Sequence, residues 1–136
     1  MCSSLEGGAS LAAACAGALI VKEGVRLPAE GMSSAAFRHG PFEMLDRKAF
    51  VFVFAGDSKT VELKRKLLRD IRSQDASAEM VEQNVGAGPF KLPATPRDVC
   101  AIVEILPVQM ATLACAGLAG REPGRFRLLS KVTTTE

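Results

Sequence analysis

Three side chains in this sequence are suited to moving protons beside a carbonyl group: Glu23, His39 and Lys131. A carboxylate can shuttle a proton between neighbouring carbons, and an imidazole can give and take one near neutral pH. An amine can act as a cation beside a developing oxyanion or condense with a carbonyl as a Schiff base. Glu23 follows Lys22 at the end of a strongly apolar run, Leu11 to Val21. His39, the single histidine, stands in Arg38-His39-Gly40-Pro41, a turn stiffened by its proline. Lys131 begins the terminal Lys131-Val132-Thr133-Thr134-Thr135-Glu136, a tail suited to folding back over a pocket. Taken singly, each has an ordinary structural reading. A histidine before Gly-Pro caps a turn, a Lys-Glu pair ends a helix in water, and a lysine near a terminus is loose. Their order and spacing carry more than any one of them.

Residues so far apart in sequence need a folded domain to hold them. A helix is expected from Ser10 to Gly24, with Ser10 as N-cap and Gly24 as stop. It is apolar on nearly every side, as in a helix sandwiched between a sheet and another subunit. A short second helix is expected from Gly31 to Phe37, ended by Gly40-Pro41 because the residue before proline avoids the helical region. Ala49 to Ala55, Ala-Phe-Val-Phe-Val-Phe-Ala, is the clearest strand, and its unbroken apolar run suits a parallel strand covered on both faces. Gly56-Asp57-Ser58 turns the chain into a helix from Lys59 to Ser73. There Leu63, Leu67 and Ile71 define the apolar face, and Lys64, Arg65, Lys66, Arg69 and Arg72 lie elsewhere. A weaker strand is expected over Ala78 to Val85 and a short one over Phe90 to Leu92. Pro96 to Leu118 reads as helix, kinked or divided at Pro107. Strands alternating with helices indicate an α/β, three-layer αβα domain with a mainly parallel sheet, and residues 1–136 read as a single domain.

At 136 residues the chain is long enough for one domain with a real core. Apolar residues make up 48% and charged residues 24%, as in an ordinary globular protein. Its aromatic content is 5%, all of it Phe, and the formal charge is +2, so neither base stacking nor a broad phosphate-binding face is expected. The basic helix near residue 65 reads as a solvated amphipathic face rather than a nucleic-acid surface. Cys2, Cys15, Cys100 and Cys115 are widely spaced, with no Cys-x-x-Cys and no second histidine, so no metal site is expected. The last three lie in apolar stretches, where small buried thiols are expected, and a reducing cytoplasmic compartment fits best. Leu11 to Val21 is too short to span a bilayer and has no basic segment before it.

Several segments together resemble the sugar isomerase (SIS) domain family, in the C-terminal half of the isomerase module of glucosamine-6-phosphate synthases. Ala18-Leu19-Ile20-Val21-Lys22-Glu23 resembles the family's Ala-Leu-Lys-Leu-Lys-Glu helix end. Ala29-Glu30 and Phe37-Arg38-His39-Gly40-Pro41 resemble its Ala-Glu and Leu-Lys-His-Gly-Pro segments at the same separation. Leu106-Pro107-Val108-Gln109 looks like Val-Pro-Leu-Gln, and Leu129 to Glu136 like Leu-Ala-Lys-Ser-Val-Thr-Val-Glu. Gly8-Ala9-Ser10 matches the turn before the first helix.

The resemblance implies a flavodoxin-like SIS domain that binds a hexose phosphate or aminohexose phosphate, with no cofactor and no metal. It implies Glu23 as the proton-transfer base, His39 as the ring-opening residue and Lys131 as the binder of the open-chain sugar. Lys22, Ser10 and Glu30 are implied as substrate contacts. Two family positions differ: a lysine corresponds to Ile20 and a glutamate to Ala36. The Ser/Thr-rich phosphate loop of the family's N-terminal half and its glutaminase domain have no counterpart in this sequence. The expectation is an isomerase- or deaminase-type half-module completed by a second half or copy; the alternative is a non-catalytic phosphosugar sensor or assembly domain. Helical pairing in the family, together with the apolar surface of Ser10 to Gly24 and Val99 to Leu118, implies a homodimer, with no membrane and no nucleic acid as partner.

Overall fold

The computed structural model describes residues 9–56, 59–83 and 88–128. The element order is α1 (Ala9–Gly24), α2 (Ser34–Arg38), a 3-10 turn (Pro41–Met44), β1 (Phe50–Phe54) and α3 (Val61–Arg72). It continues with β2 (Ser77–Gln83), β3 (Lys91–Leu92), a second 3-10 turn (Arg97–Val99), α4 (Cys100–Glu104) and α5 (Leu106–Leu118). The sheet has the order β1-β2-β3 and is parallel throughout, with Phe50 opposite Ser77 and Gln83 opposite Leu92. This is the expected α/β arrangement.

Alternation along β1 creates the layers. Phe52 and Phe54 point to one face, where they pack with Ala13, Ala14 and Ala18 of α1, Val81, Leu92, and Val108 of α5. Val51 and Val53 point to the other, where they meet Phe37 of α2, Leu67 and Ile71 of α3, Ala76 and Ala78. These four of the five β1 side chains are buried, because helices cover both sheet faces. Phe52 also meets Phe50 and Phe90 edge-to-face, with ring centroids 4.8 and 5.2 Å away.

Close approach of α1 to its neighbours depends on small residues. A Cβ on Gly17 would stand 3.2 Å from Val108 Cγ1, and one on Gly24 would stand 2.6 Å from Thr112 Cγ2. Gly31 lies against the α1 backbone, where an added Cβ would come within 2.6 Å of Ala14 C and Cys15 N. Residue 31 is not helical, and α2 begins only at Ser34, later than expected. Ser33 caps it, accepting a hydrogen bond from Ala36 N at 3.1 Å.

Four local expectations are corrected. Ser10 lies inside the first turn of α1 rather than at its N-cap, since the helix begins at Ala9. Gly24 is the last helical residue, and the left-handed turn that ends the helix falls on Arg26, at φ 59°. On α3 the buried stripe is Lys64, Leu67 and Ile71, whereas Leu63 is 67% exposed. Docking through residues 67 and 71 rotates 64 inward, where its aliphatic stem covers apolar surface and Nζ stands 3.3 Å from Ser34 Oγ. Cys15 and Cys115 are exposed rather than buried, because α1 and α5 each leave one side outside the core.

The Pro107 expectation holds: the apolar stretch divides into α4 and α5 at Ile105. Cys100–Leu118 is nonetheless long and apolar enough, by length and composition, to cross a membrane, with 28% of it buried. Glu104, at the end of α4 within this stretch, is buried within the protein, which fits a packed helix pair better than a lipid-facing span.

Candidate functional site

A groove of about 330 Å³ opens where the last turn of α1 meets α5. Ile20, Glu23 and Gly24 form one wall, Gln109, Thr112 and Leu113 a second, and Pro123, Gly124 and Phe126 close the third. Gly24 and Thr112 let the two helices meet at its base, and the Thr112 hydroxyl is occupied by donating to the Val108 carbonyl at 2.8 Å. Its apolar groups thereby face α1.

Among the described residues Glu23 is the one charged residue in this lining, and its neighbours Ile20, Leu113, Pro123 and Phe126 are apolar. A carboxylate in such a setting has few competing partners and can exchange a proton with a bound molecule. No basic side chain lines the groove among the described residues, so an anionic group of a ligand finds no counter-charge there. Among the described residues the groove therefore holds one carboxylate and no basic group.

The other expected site residues are dispersed. His39 ends α2, its backbone N–H donating to Ala36 O at 3.1 Å, and its side chain is exposed. Arg38 beside it is paired with Asp70 of α3 at 2.6 Å, and Phe37 is buried against β1 and α3. These contacts attach His39 to the sheet face opposite the one on which α1 packs. Among the described residues no hydrogen bond joins it to Glu23. Ser10 and Glu23 stand at opposite ends of one helix, roughly 20 Å apart at 1.5 Å per residue, too far for one sugar phosphate to touch both within a chain. Lys22 and Glu30 are exposed and do not line the groove. Lys131 lies outside the described residues.

Sequence reasoning did not anticipate the groove's second and third walls. Gln109 was visible only as part of a matched helix, while Thr112 and Phe126 bear no motif. A partly buried polar cluster at the end of β2 was also not anticipated. Gln83 Nε2 approaches Cys100 Sγ at 2.9 Å and Gln83 Oε1 accepts from Thr95 N at 3.0 Å. Glu104 is buried next to Cys100, and its Oε2 has no hydrogen-bond partner among the described residues. Burial, and then the Glu104 carboxylate, push the Cys100 thiol up to about 11.

This architecture is the α/β fold of SIS domains. A glucosamine-6-phosphate deaminase from Thermotoga maritima superposes with a TM-score of 0.81 at 22% identity, over 96% of this chain and 39% of that one. The C-terminal domain of glucosamine-fructose-6-phosphate aminotransferase from Francisella tularensis gives 0.77 at 18% identity, over 91% and 37%. In sequence, the chain is similar to the isomerizing glutamine–fructose-6-phosphate aminotransferase of Pyrococcus horikoshii, 30% identical over 128 residues, or 88% of this chain. It spans only 21% of that relative and 23% of a Brucella abortus counterpart, about a fifth of the length of the curated relatives it matches. No family model matches the chain.

Proposed function

We propose that this chain, acting as one SIS-type domain, binds a hexose phosphate or aminohexose phosphate. It contributes to aldose–ketose isomerisation or deamination in an assembly completed by a second SIS half or a second copy. The observation that carries this reading is Glu23 as the sole charged residue, among the described residues, of a groove in a chain similar along most of its length to isomerizing aminotransferases. The carboxylate of Glu23 takes the proton from carbon 1 or carbon 2, giving the enediol or enolamine across those two carbons, and returns it to the other of the pair. His39 protonates the ring oxygen as the sugar opens, and Lys131 holds the open-chain form. Lys22, Ser10 and Glu30 serve as substrate contacts, Ser10 for the molecule held at the other end of α1.

Among the described residues no basic group lines the groove, which supports a completing half as the holder of the phosphate. Exposed apolar side chains support pairing through the helical layer. Leu19 is 51%, Ile102 67%, Leu106 49%, Met110 65% and Leu113 50% exposed on α1, α4 and α5. A homodimer through this layer would shield the groove from water and strengthen the Glu23 interaction with substrate. A cytoplasmic setting without membrane or nucleic-acid partners completes the proposal.

Two measurements test it. Calorimetry with fructose 6-phosphate and glucosamine 6-phosphate should show binding to the assembled protein. Glu23→Gln should lower turnover by about a hundredfold or more while leaving binding in place, the loss expected for a removed general base. Unchanged turnover would remove Glu23 from the chemistry, and binding with no turnover in the unmodified assembly would identify a sensor. Sedimentation at micromolar concentration tests the pairing, and a monomer at every concentration would exclude it.

A further inference from the structure

The third wall of the Glu23 groove belongs to the segment after α5, and two arginines fasten it. Gly120, left-handed at φ 61°, ends α5, and Arg121 N donates back to Ala116 O at 2.8 Å. This reversal turns the Arg121 side chain toward the end of α1, where Nη1 donates to the Val25 carbonyl, 96 residues away in sequence. A guanidinium is well placed there, because the final carbonyls of a helix lack intrahelical donors and carry its negative pole. The reciprocal bond runs the other way: Arg26 Nη2 donates to the Arg125 carbonyl at 3.3 Å. Arg26 holds the left-handed conformation, φ 59°, which L side chains with a Cβ rarely adopt and which usually falls to glycine at a helix end. The chain keeps an arginine at a position where glycine would be easier, and that arginine reaches the segment carrying Pro123, Gly124 and Phe126.

We infer that Arg121 and Arg26 are positioning residues, a two-way clasp that holds residues 121–126 against the end of α1 and so sets the width of the groove beside Glu23. Neither side chain lines the groove, so both act through the wall they fasten. The inference rests on the reading of Glu23 as the proton carrier. It adds that sugar-phosphate affinity depends on two residues outside the groove.

The test uses the assembled protein with Arg121→Ala, Arg121→Lys and Arg26→Gly. Backbone hydrogen exchange over residues 121–128 should rise about tenfold in Arg121→Ala and Arg26→Gly, and Arg121→Lys, which retains a donor, should recover most of the protection. The KM for glucosamine 6-phosphate should rise severalfold with a smaller change in kcat. Arg26→Gly relieves the left-handed backbone, so its thermal midpoint should equal or exceed that of the wild type, which separates positioning from loss of fold. Should Arg121→Ala fail to fold, Arg26→Gly alone decides. Unchanged exchange in the variants overturns the clasp, and raised exchange with unchanged KM overturns its positioning role. A wild type that neither binds nor converts a sugar phosphate removes the reading of Glu23 instead, and the exchange rates still decide the clasp.

Discussion

Gly31→Ala is a sharp structural perturbation of the support behind the candidate site. The methyl group would point into α1 at 2.6 Å from Ala14 C and Cys15 N and 2.7 Å from Ala14 O. All three are backbone atoms, so no rotamer change relieves the clash, and α1 or the segment after it must move. Overpacking of this kind costs about 1–3 kcal/mol, and a rigid backbone partner places it in the upper part of that range. Alanine also restricts the unfolded chain, which offsets about 0.4–1 kcal/mol. The net expectation is a loss of about 2 kcal/mol, or roughly 7 °C in Tm for a domain of this size. Gly117→Ala is the control, because a Cβ there meets nothing within 4 Å and the residue is helical. It should gain about 0.5 kcal/mol and move Tm upward by a degree or two. Thermal unfolding followed by circular dichroism reads both. A Gly31→Ala protein that melts at or above the wild type would refute the close approach of residue 31 to α1.

Cys100 should be alkylated slowly at pH 8, since a thiol raised from 9.0 to about 11 has roughly a hundredfold less thiolate. Glu104→Gln should accelerate that reaction without fully normalising it, as burial is the larger cause; mass spectrometry of the labelled peptide reads both rates. Because the folded thiol binds its proton more tightly than the unfolded one, its stabilising contribution is complete below pH 9 and is lost as pH rises toward 11, measurable by denaturant titration across that window. Met110→Arg should shift sedimentation toward monomer by placing a charge on the exposed helical layer, with no more than about 0.5 kcal/mol lost from the monomer. Phe52→Ala, which removes a buried ring contacting Phe50 and Phe90, should cost about 3–5 kcal/mol in chemical denaturation.

The elements that were legible in the sequence are those whose own composition determines them. Phe50 to Phe54 can be little but a strand covered on two sides, and the alanine-rich run into Val21 can be little but a packed helix. Pro107 divides the last helical stretch because it has no N–H to donate. What escaped depends on partners remote in sequence. Lys64 rather than Leu63 turns inward because Ser34 and the β1 face set the rotation of α3. Arg26 takes the turn that Gly24 was expected to make, and its partner lies on a segment with no periodic signal. Within the candidate site, Glu23 was legible as the end of an apolar helix, but its apolar surroundings come from α5 and the segment beyond it, which only the fold brings near.

The attachment of α2 to α3 through Arg38 and Asp70 has a consequence for genetics. Since α1, which carries Glu23, and α2, which His39 ends, pack on opposite faces of one sheet, the proposed homodimer would let a site using both draw them from two subunits. Two inactive proteins, one carrying Glu23→Gln and the other His39→Asn, would then repair each other when dissociated and mixed. Each mixed dimer regains one intact site and keeps one doubly defective one, so random re-pairing restores about a quarter of wild-type activity.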